Sequence, residues 1–268
     1  RKQINSSSVN ENVSFIKDTY LQYNRIDPNK KFDNFIIGSS NKLAFEASNK
    51  VTEKISHYNP LYIYGGVGMG KTHLLNSIGL KMQEKLNVMF ISAERFMYHF
   101  IKSIKNNSMV KFKDFFRKAD VFIIDDIQFV RGKEVMQEEF FHTFNSLMER
   151  GSLIVISSDR SPNNLDRIQD RIKSRLSGGL VVDIQPSDYS LRLEILKNKY
   201  SEIKNLYKDT LNLSDGVFNF LAAEIRASVR ETIGALNRIL AFSRIYNKSP
   251  DVSECKIVLK DVIETNAS

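Results

Sequence analysis

Residues 65–72 read Gly65-Gly66-Val67-Gly68-Met69-Gly70-Lys71-Thr72, a G-x-x-x-x-G-K-T pattern between the apolar run Leu61-Tyr62-Ile63-Tyr64 and a helical run from His73-Leu74-Leu75 onward. The residue types suit one task. Glycines let successive backbone N–H groups turn toward an anion with no Cβ in the way. Lys71 supplies a cation for the outer phosphates of a polyphosphate, and the Thr72 hydroxyl can ligate Mg2+. A helix opening at Lys71 adds the positive end of its dipole. A strand before and a helix after are the context the pattern requires, so a nucleoside triphosphate site is expected here.

A second constellation matches it. Val121-Phe122-Ile123-Ile124 is an apolar strand that ends in Asp125-Asp126. The carboxyl ends of parallel strands are where such sheets bind ligands. Asp125 would hold Mg2+ directly or through water, and Asp126 would then orient or polarise an attacking water. Ser157-Ser158-Asp159-Arg160 ends another apolar run. Asp159 there reads either as a turn or cap residue, or as a polar group sensing the terminal phosphate and the water. Arg167, Arg171 and Arg175 recur every four residues, which on a helix is one face. That face is either solvated and paired with aspartates, or it presents an arginine to the nucleotide of a neighbouring subunit; periodicity leaves both open. Ser228-Val229-Arg230-Glu231 has the form of a capping box. It sets Arg230 in a first helical turn, where the dipole disfavours a cation unless an anion partners it.

These residues need a scaffold. Five short runs, Leu61 to Tyr64, Val88 to Ser92, Val121 to Ile124, Leu153 to Ser157 and Leu180 to Ile184, are near-continuously apolar, as strands buried on both faces must be. A helical pattern over Asn41 to Ile55 precedes the first run and others separate the runs, which predicts an α/β fold with a parallel sheet and right-handed crossovers. After Pro186 only helical patterns remain: Tyr189 to about Tyr200, Val217 to Ile225, Val229 to Tyr246 and Ile257 to Glu264. The expected organisation is an arm over 1–27, rich in Asn and Ser with a short helix at most around Phe15-Ile16 and Tyr20-Leu21, an α/β nucleotide-binding domain over 28–186, and a small all-α domain over 187–268. No internal repeat appears.

The 268 residues are 42% hydrophobic and 26% charged, ordinary for a globular protein, with a net charge of +8 that hints at a polyanionic partner. The single cysteine, Cys255, cannot close an internal disulfide, no Cys/His cluster has zinc-ligand spacing, and no run is apolar enough to span a bilayer. A cytoplasmic protein is expected. The charge is concentrated over 94–120, where one crossover helix would suffice but a break at Asn106-Asn107-Ser108 predicts two. Seven Lys/Arg lie between Arg95 and Lys118 against one acid, Asp114, interleaved with Phe96, Tyr98, Phe100, Phe112, Phe115 and Phe116. Most of those rings are expected in the core. The cations suit a nucleic-acid strand.

Taken together, Asn59 to Leu74, Ile124 to Phe129 with Gln137 to Asn145, Ser157 to Arg160 and Asp183 to Pro186 resemble the DnaA family of bacterial replication initiators, over residues from about 28 to 265. The resemblance implies a P-loop AAA+ module, a five-stranded parallel sheet sandwiched by helices and followed by an α-helical lid, which binds ATP or ADP with Mg2+. It implies a weak ATPase whose ATP form assembles into a helical oligomer at the origin, contacts single-stranded DNA and helps unwind it, hydrolysis being the off-switch. Other replication proteins are implied as further partners. By position, Lys71, Asp125, Asp126, Asp159, Arg175 and Arg230 match the catalytic and sensing set. Gly65 to His73 match the phosphate loop, Thr72 and Asp125 the metal ligands, and Asn34, Phe35 and Ile37 the adenine pocket. Arg175 matches the finger presented to a neighbour and Arg171 its companion at that interface. Ile101, Lys102 and Lys133 match the positions facing DNA. Two departures stand out: Val135 replaces an arginine common in the family near Lys133, and Arg230-Glu231-Thr232-Ile233-Gly234 replaces its usual Arg-Glu-Leu-Glu-Gly. The chain stops near the end of the lid, which reads as an excised fragment lacking a duplex-binding domain. The alternatives are a DnaA-like regulatory ATPase with no DNA role of its own, or a loader-type ATPase acting on another protein.

Overall fold

The computed structural model describes residues 26–53, 58–207 and 212–267. Residues 1–25 of the arm expected over 1–27, with Phe15-Ile16 and Tyr20-Leu21, and Ile55 at the end of an expected helix lie outside the described residues. Five strands form one all-parallel sheet: β1 (Leu61–Gly65), β2 (Val88–Ser92), β3 (Val121–Asp125), β4 (Leu153–Ser158) and β5 (Leu180–Ile184), in the order β2-β3-β4-β1-β5. Alternation along each strand divides the core into two layers. Tyr62, Met89, Ile91, Phe122, Ile124, Ile154 and Ile156 face one way. Leu61, Ile63, Val88, Phe90, Val121, Ile123, Leu153 and Val155 face the other. Both faces are covered by helices, which is why these strands carry no polar alternation.

The second layer rests on α1 (Lys42–Glu53) and α2 (Lys71–Met82), through Ala44, Val51, Leu74, Leu75 and Ile78. The first rests on α3 (Ala93–Lys105), α4 (Met109–Arg117) and α5 (Glu134–Arg150), through Phe96, Phe112, Phe116, Phe140 and Phe144. The expected pair of helices over 94–120 is present. Their break falls at Asn107, whose φ of 50° is left-handed and ends α3.

A short helix, α6 (Asp170–Leu176), precedes β5. It begins later than the arginine spacing predicts. Arg167 has φ 53°, lies before the helix, and gives its carbonyl to Gly132 N–H at 3.0 Å and Gln137 Nε2 at 2.8 Å. Only Arg171 and Arg175 share the helix.

Beyond β5 come α7 (Tyr189–Tyr207), α8 (Asp215–Glu224), α9 (Val229–Tyr246), α10 (Val252–Val258) and α11 (Lys260–Ala267). They close around a core of their own, including Leu196, Val217, Phe218, Leu221, Leu236, Ile239, Cys255 and Leu259. Two boundaries differ from the sequence reading. The first helix runs on past Tyr200, because Tyr200 and Ile203 still pack on this core. The last predicted helix is two: Asp251 and Glu254 form a capping box that starts α10 early, and the chain breaks at Leu259.

Candidate nucleotide site

Strand order explains the site. β4 lies between β1 and β3, so the loop after β1, the acids after β3 and the end of β4 converge on one edge of the sheet. The registers Ile124↔Ile156 and Tyr64↔Ser158 set Asp125 beside Ser157 and the 65–72 loop beside Ser158 and Asp159.

The loop returns to α2 through Gly70, at φ 101° as N-cap, with the Phe35 ring 3.1 Å from where a Cβ would stand. Lys71 is almost fully buried, and its ammonium donates to the carbonyls of Gly65 (2.7 Å) and Gly66 (2.8 Å). Burial pulls the Lys71 pKa below its ordinary value; Asp126, Asp125 and Asp159 oppose that shift and Arg230 adds to it. The charges of three carboxylates and an arginine are thus felt at the Lys71 ammonium.

Thr72 Oγ1 donates to Asp125 Oδ2 at 2.7 Å, and Ser157 Oγ donates to Asp125 Oδ1. Burial, with the charge of Asp126 adding, pushes the Asp125 pKa up, while these hydroxyls and Lys71 hold it back. A buried carboxylate touching a threonine hydroxyl at the mouth of a phosphate loop fits Mg2+, which takes few protein ligands and completes its shell with water and phosphate. Among the described residues no group of three or more His, Cys, Asp or Glu forms a self-sufficient metal cage.

Asp126 follows in the left-handed region (φ 58°), so its side chain does not continue the strand. Its N–H donates to Ser157 Oγ at 2.8 Å, and its Oδ1 accepts from Gln128 Nε2 at 3.1 Å. Gln128 Oε1 accepts from Asp159 N–H and Ser158 Oγ, each at 3.3 Å. Ser157 and Gln128 therefore brace all three acids. Sequence reasoning missed both, because their work depends on strand adjacency.

The helical domain reaches the same loop. Ser228 caps α9, accepting from Glu231 N–H at 3.1 Å, which is the Ser228 half of the predicted box. The backbone N–H of Arg230 donates to the Gly68 carbonyl at 3.2 Å. Gly68 has φ 74°, and a Cβ there would lie 2.8 Å from Arg230 Cβ.

Beside the loop lies a cavity of about 870 Å3, lined by Asn34, Phe35, Met69, Gly70 and His73 on one side and by Ile195, Val229 and Ile233 on the other. Phe35 meets His73 edge-on at 5.2 Å and stacks on Phe45 at 5.8 Å. His73 Nε2–H donates to the Lys31 carbonyl at 2.8 Å, and burial lowers its pKa. Asn34 Nδ2 bonds the Asn29 carbonyl at 2.6 Å and closes this corner. Ile37 and Val67, both expected at the site, are exposed and do not line the cavity. Asn76, not foreseen, ties Asp27 down from both sides: Oδ1 accepts from Asp27 N–H and Nδ2 donates to its carbonyl, each at 2.7 Å.

Other expected residues lie away from the loop. Arg175 is exposed on α6. Arg171 stacks over the Phe141 ring at 4.6 Å and bonds Gln169 Oε1 at 2.7 Å. Ile101 and Lys102 are exposed on α3, while Phe96, Phe100, Phe112 and Phe116 are core and Tyr98 is exposed. Lys133, at the N-cap of α5, donates Nζ to the Phe129 carbonyl at 2.7 Å.

A parallel five-stranded sheet with a P-loop after β1, paired acids after β3 and a helical lid touching the loop defines a P-loop AAA+ module. The chain belongs to the bacterial DnaA ATPase domain family, whose pattern it matches over residues 26–183. It is 44% identical over 250 residues to the chromosomal replication initiator protein DnaA of Ruegeria sp. (strain TM1040), covering 92% of this chain and 53% of that protein. The chain thus spans about half the length of the curated relatives it matches. Its fold is similar to domain III of the Thermotoga maritima replication initiation protein DnaA, with a TM-score of 0.83, 37% identity, and 89% of this chain and 99% of that one covered. A replication initiator DnaA bound to AMPPCP and single-stranded DNA is also similar (TM-score 0.73, 36% identity, 80% and 66% covered).

Proposed function

We propose that the chain is the ATP-dependent assembly and DNA-contacting module of a replication initiator. One observation carries this reading. The first turn of α9 is hydrogen-bonded through Arg230 N–H to Gly68 of the phosphate loop, so whatever binds the loop is felt by the lid. We take 28–186 as the nucleotide-binding domain and 187–268 as the lid, with 1–27 as an arm.

Bound ATP supplies the transferable phosphoryl group, with Mg2+ offsetting its charge. The rest is done by the chain. Backbone N–H groups of 65–70 and Lys71 hold the phosphates, Thr72 and Asp125 hold the cation, and Phe35, Asn34 and His73 receive the base. Asp126 accepts a proton from the attacking water or orients it, braced by Gln128; Asp159 and Arg230 report whether a terminal phosphate is present. Arg175 projects to the nucleotide of a neighbouring copy, with Arg171 beside it, so the active site is complete only between protomers. Hydrolysis is then slow and ends the assembly. Ile101, Lys102 and Lys133 contact single-stranded DNA at an origin in the cytoplasm, and other replication proteins join there. The related initiator described with AMPPCP and single-stranded DNA supports this assignment.

Sedimentation velocity with ATP or ADP, together with anisotropy of a labelled dT oligonucleotide, tests it. ATP-dependent oligomers and salt-sensitive binding are expected. Rapid ATP turnover by a monomer that ignores DNA would contradict the reading and favour a loader-type ATPase.

A further inference from the structure

Asp159, tied through Gln128 to Asp126 at the end of β3, carries its own counter-ion. Arg160 grips it side-on, Nε 3.0 Å from Oδ1 and a terminal nitrogen 2.8 Å from Oδ2. The arginine's backbone is anchored, because its carbonyl accepts from the buried Tyr62 hydroxyl at 2.8 Å. Its remaining nitrogen lies 3.5 Å from Asp166 Oδ1, and Asp166 Oδ2 is held by Arg131 at 2.6 Å. Arg131 opens the short loop that ends in Lys133. Gly132 N–H ties that loop to the Arg167 carbonyl at 3.0 Å. Four charges of alternating sign thus run from the nucleotide site to the loop: Asp159, Arg160, Asp166, Arg131.

The distances decide which way this chain tips. Asp166 is held closely by Arg131 and only loosely by Arg160, which leaves the guanidinium fork of Arg160 to Asp159. An anion that takes Arg131 away leaves Asp166 without its nearer partner, and it then competes for Arg160. Arg160, between two carboxylates, is an element with two arrangements, as coupling requires.

Building on the DNA-contacting reading above, we propose that Arg160 is a positioning residue for Asp159 whose grip is set by Arg131 through Asp166. A phosphodiester strand on the 131–133 loop is thereby felt at the phosphate end of the nucleotide site. The pairs are partly exposed, which limits the coupling to about two- to five-fold.

Arg131→Ala imitates capture of Arg131 with no DNA present. The readout is the dissociation rate of a fluorescent ATP analogue, with and without a dT oligonucleotide. For the unaltered chain the oligonucleotide changes that rate by about two- to five-fold. Arg131→Ala alone shifts it in the same direction and then no longer responds to the oligonucleotide. Adding Asp166→Asn to Arg131→Ala removes the competing carboxylate and returns the rate toward the original, and Arg131→Lys also restores it, which a merely structural defect would not allow. An unshifted rate in Arg131→Ala, or a full oligonucleotide response in the double variant, overturns the proposal. Failure of the unaltered chain to bind the oligonucleotide, with the Arg131→Ala shift and its lysine rescue intact, leaves the charge chain standing and refutes the DNA-contacting reading instead.

Discussion

Gly68→Ala isolates the joint between lid and phosphate loop. Alanine at a φ of 74° is strained, a cost of about 1–2 kcal/mol. The new Cβ would also stand 2.8 Å from Arg230 Cβ and 3.0 Å from Ser228 Oγ. Arg230 Cβ sits on the backbone of α9 and cannot swing clear by a change of rotamer. The start of the helix must withdraw, which breaks the 3.2 Å bond from Arg230 N–H to the Gly68 carbonyl, worth about 1 kcal/mol net. The closed arrangement is then disfavoured by roughly 2–3 kcal/mol, enough to weaken a ligand that needs it by about thirty- to 150-fold. Titration with a fluorescent ATP analogue measures this, and thermal unfolding by circular dichroism serves as the control, because neither sheet layer is touched. An affinity within about two-fold of the unaltered chain would refute the reasoning that the lid closes through this contact.

Asp125→Asn tests the buried acid. Its folded pKa is raised, so the folded chain holds that proton more readily than the unfolded one. The cost to stability is therefore present above the folded pKa and fades as pH falls below the unfolded value of 3.8. The variant should melt higher than the unaltered chain at neutral pH, with the gap closing on acidification, while Mg2+-dependent hydrolysis is lost. Arg192 is buried and donates Nε to the Ala222 carbonyl at 2.8 Å and a terminal nitrogen to the Ser187 carbonyl. Arg192→Leu leaves both acceptors unpaired and should cost about 2–4 kcal/mol in urea unfolding, with the helical domain melting first. Lys102→Glu combined with Lys105→Glu should reduce binding of a dT oligonucleotide by about tenfold or more at low salt, with ATP affinity unchanged in a parallel titration.

The strands were legible because a parallel sheet covered on both faces leaves unbroken apolar runs, and Leu61, Val88, Val121, Leu153 and Leu180 each begin one. The phosphate loop and Asp125 were legible because backbone conformation and strand ends constrain residue type locally. What stayed hidden depends on strand order or on single dihedrals. Ser157 is an unremarkable strand residue until β3 is known to lie beside β4. Gln128 reads as a loop polar residue until Asp126 turns left-handed and brings it across to Asp159. The arginine period of four extended back to Arg167, and one positive φ takes that residue off the helix. Nor does any pattern announce that Arg160 and Arg131 share Asp166, since Arg131 belongs to a segment far from Asp166 in the chain.

The claim that the nucleotide is a joint between copies is tested most directly by mixing two inactive variants. Lys71→Ala removes the phosphate cation but keeps Arg175; Arg175→Ala keeps the phosphate site but lacks the projecting arginine. Each alone should hydrolyse ATP at background level. In a mixture, an Arg175→Ala protomer with bound ATP can receive Arg175 from a Lys71→Ala neighbour, and hydrolysis should reappear in proportion to the mixed pairs formed. A mixture that stays silent under conditions where the unaltered chain turns over would contradict a shared site, as would an Arg175→Ala protein that hydrolyses ATP unaided.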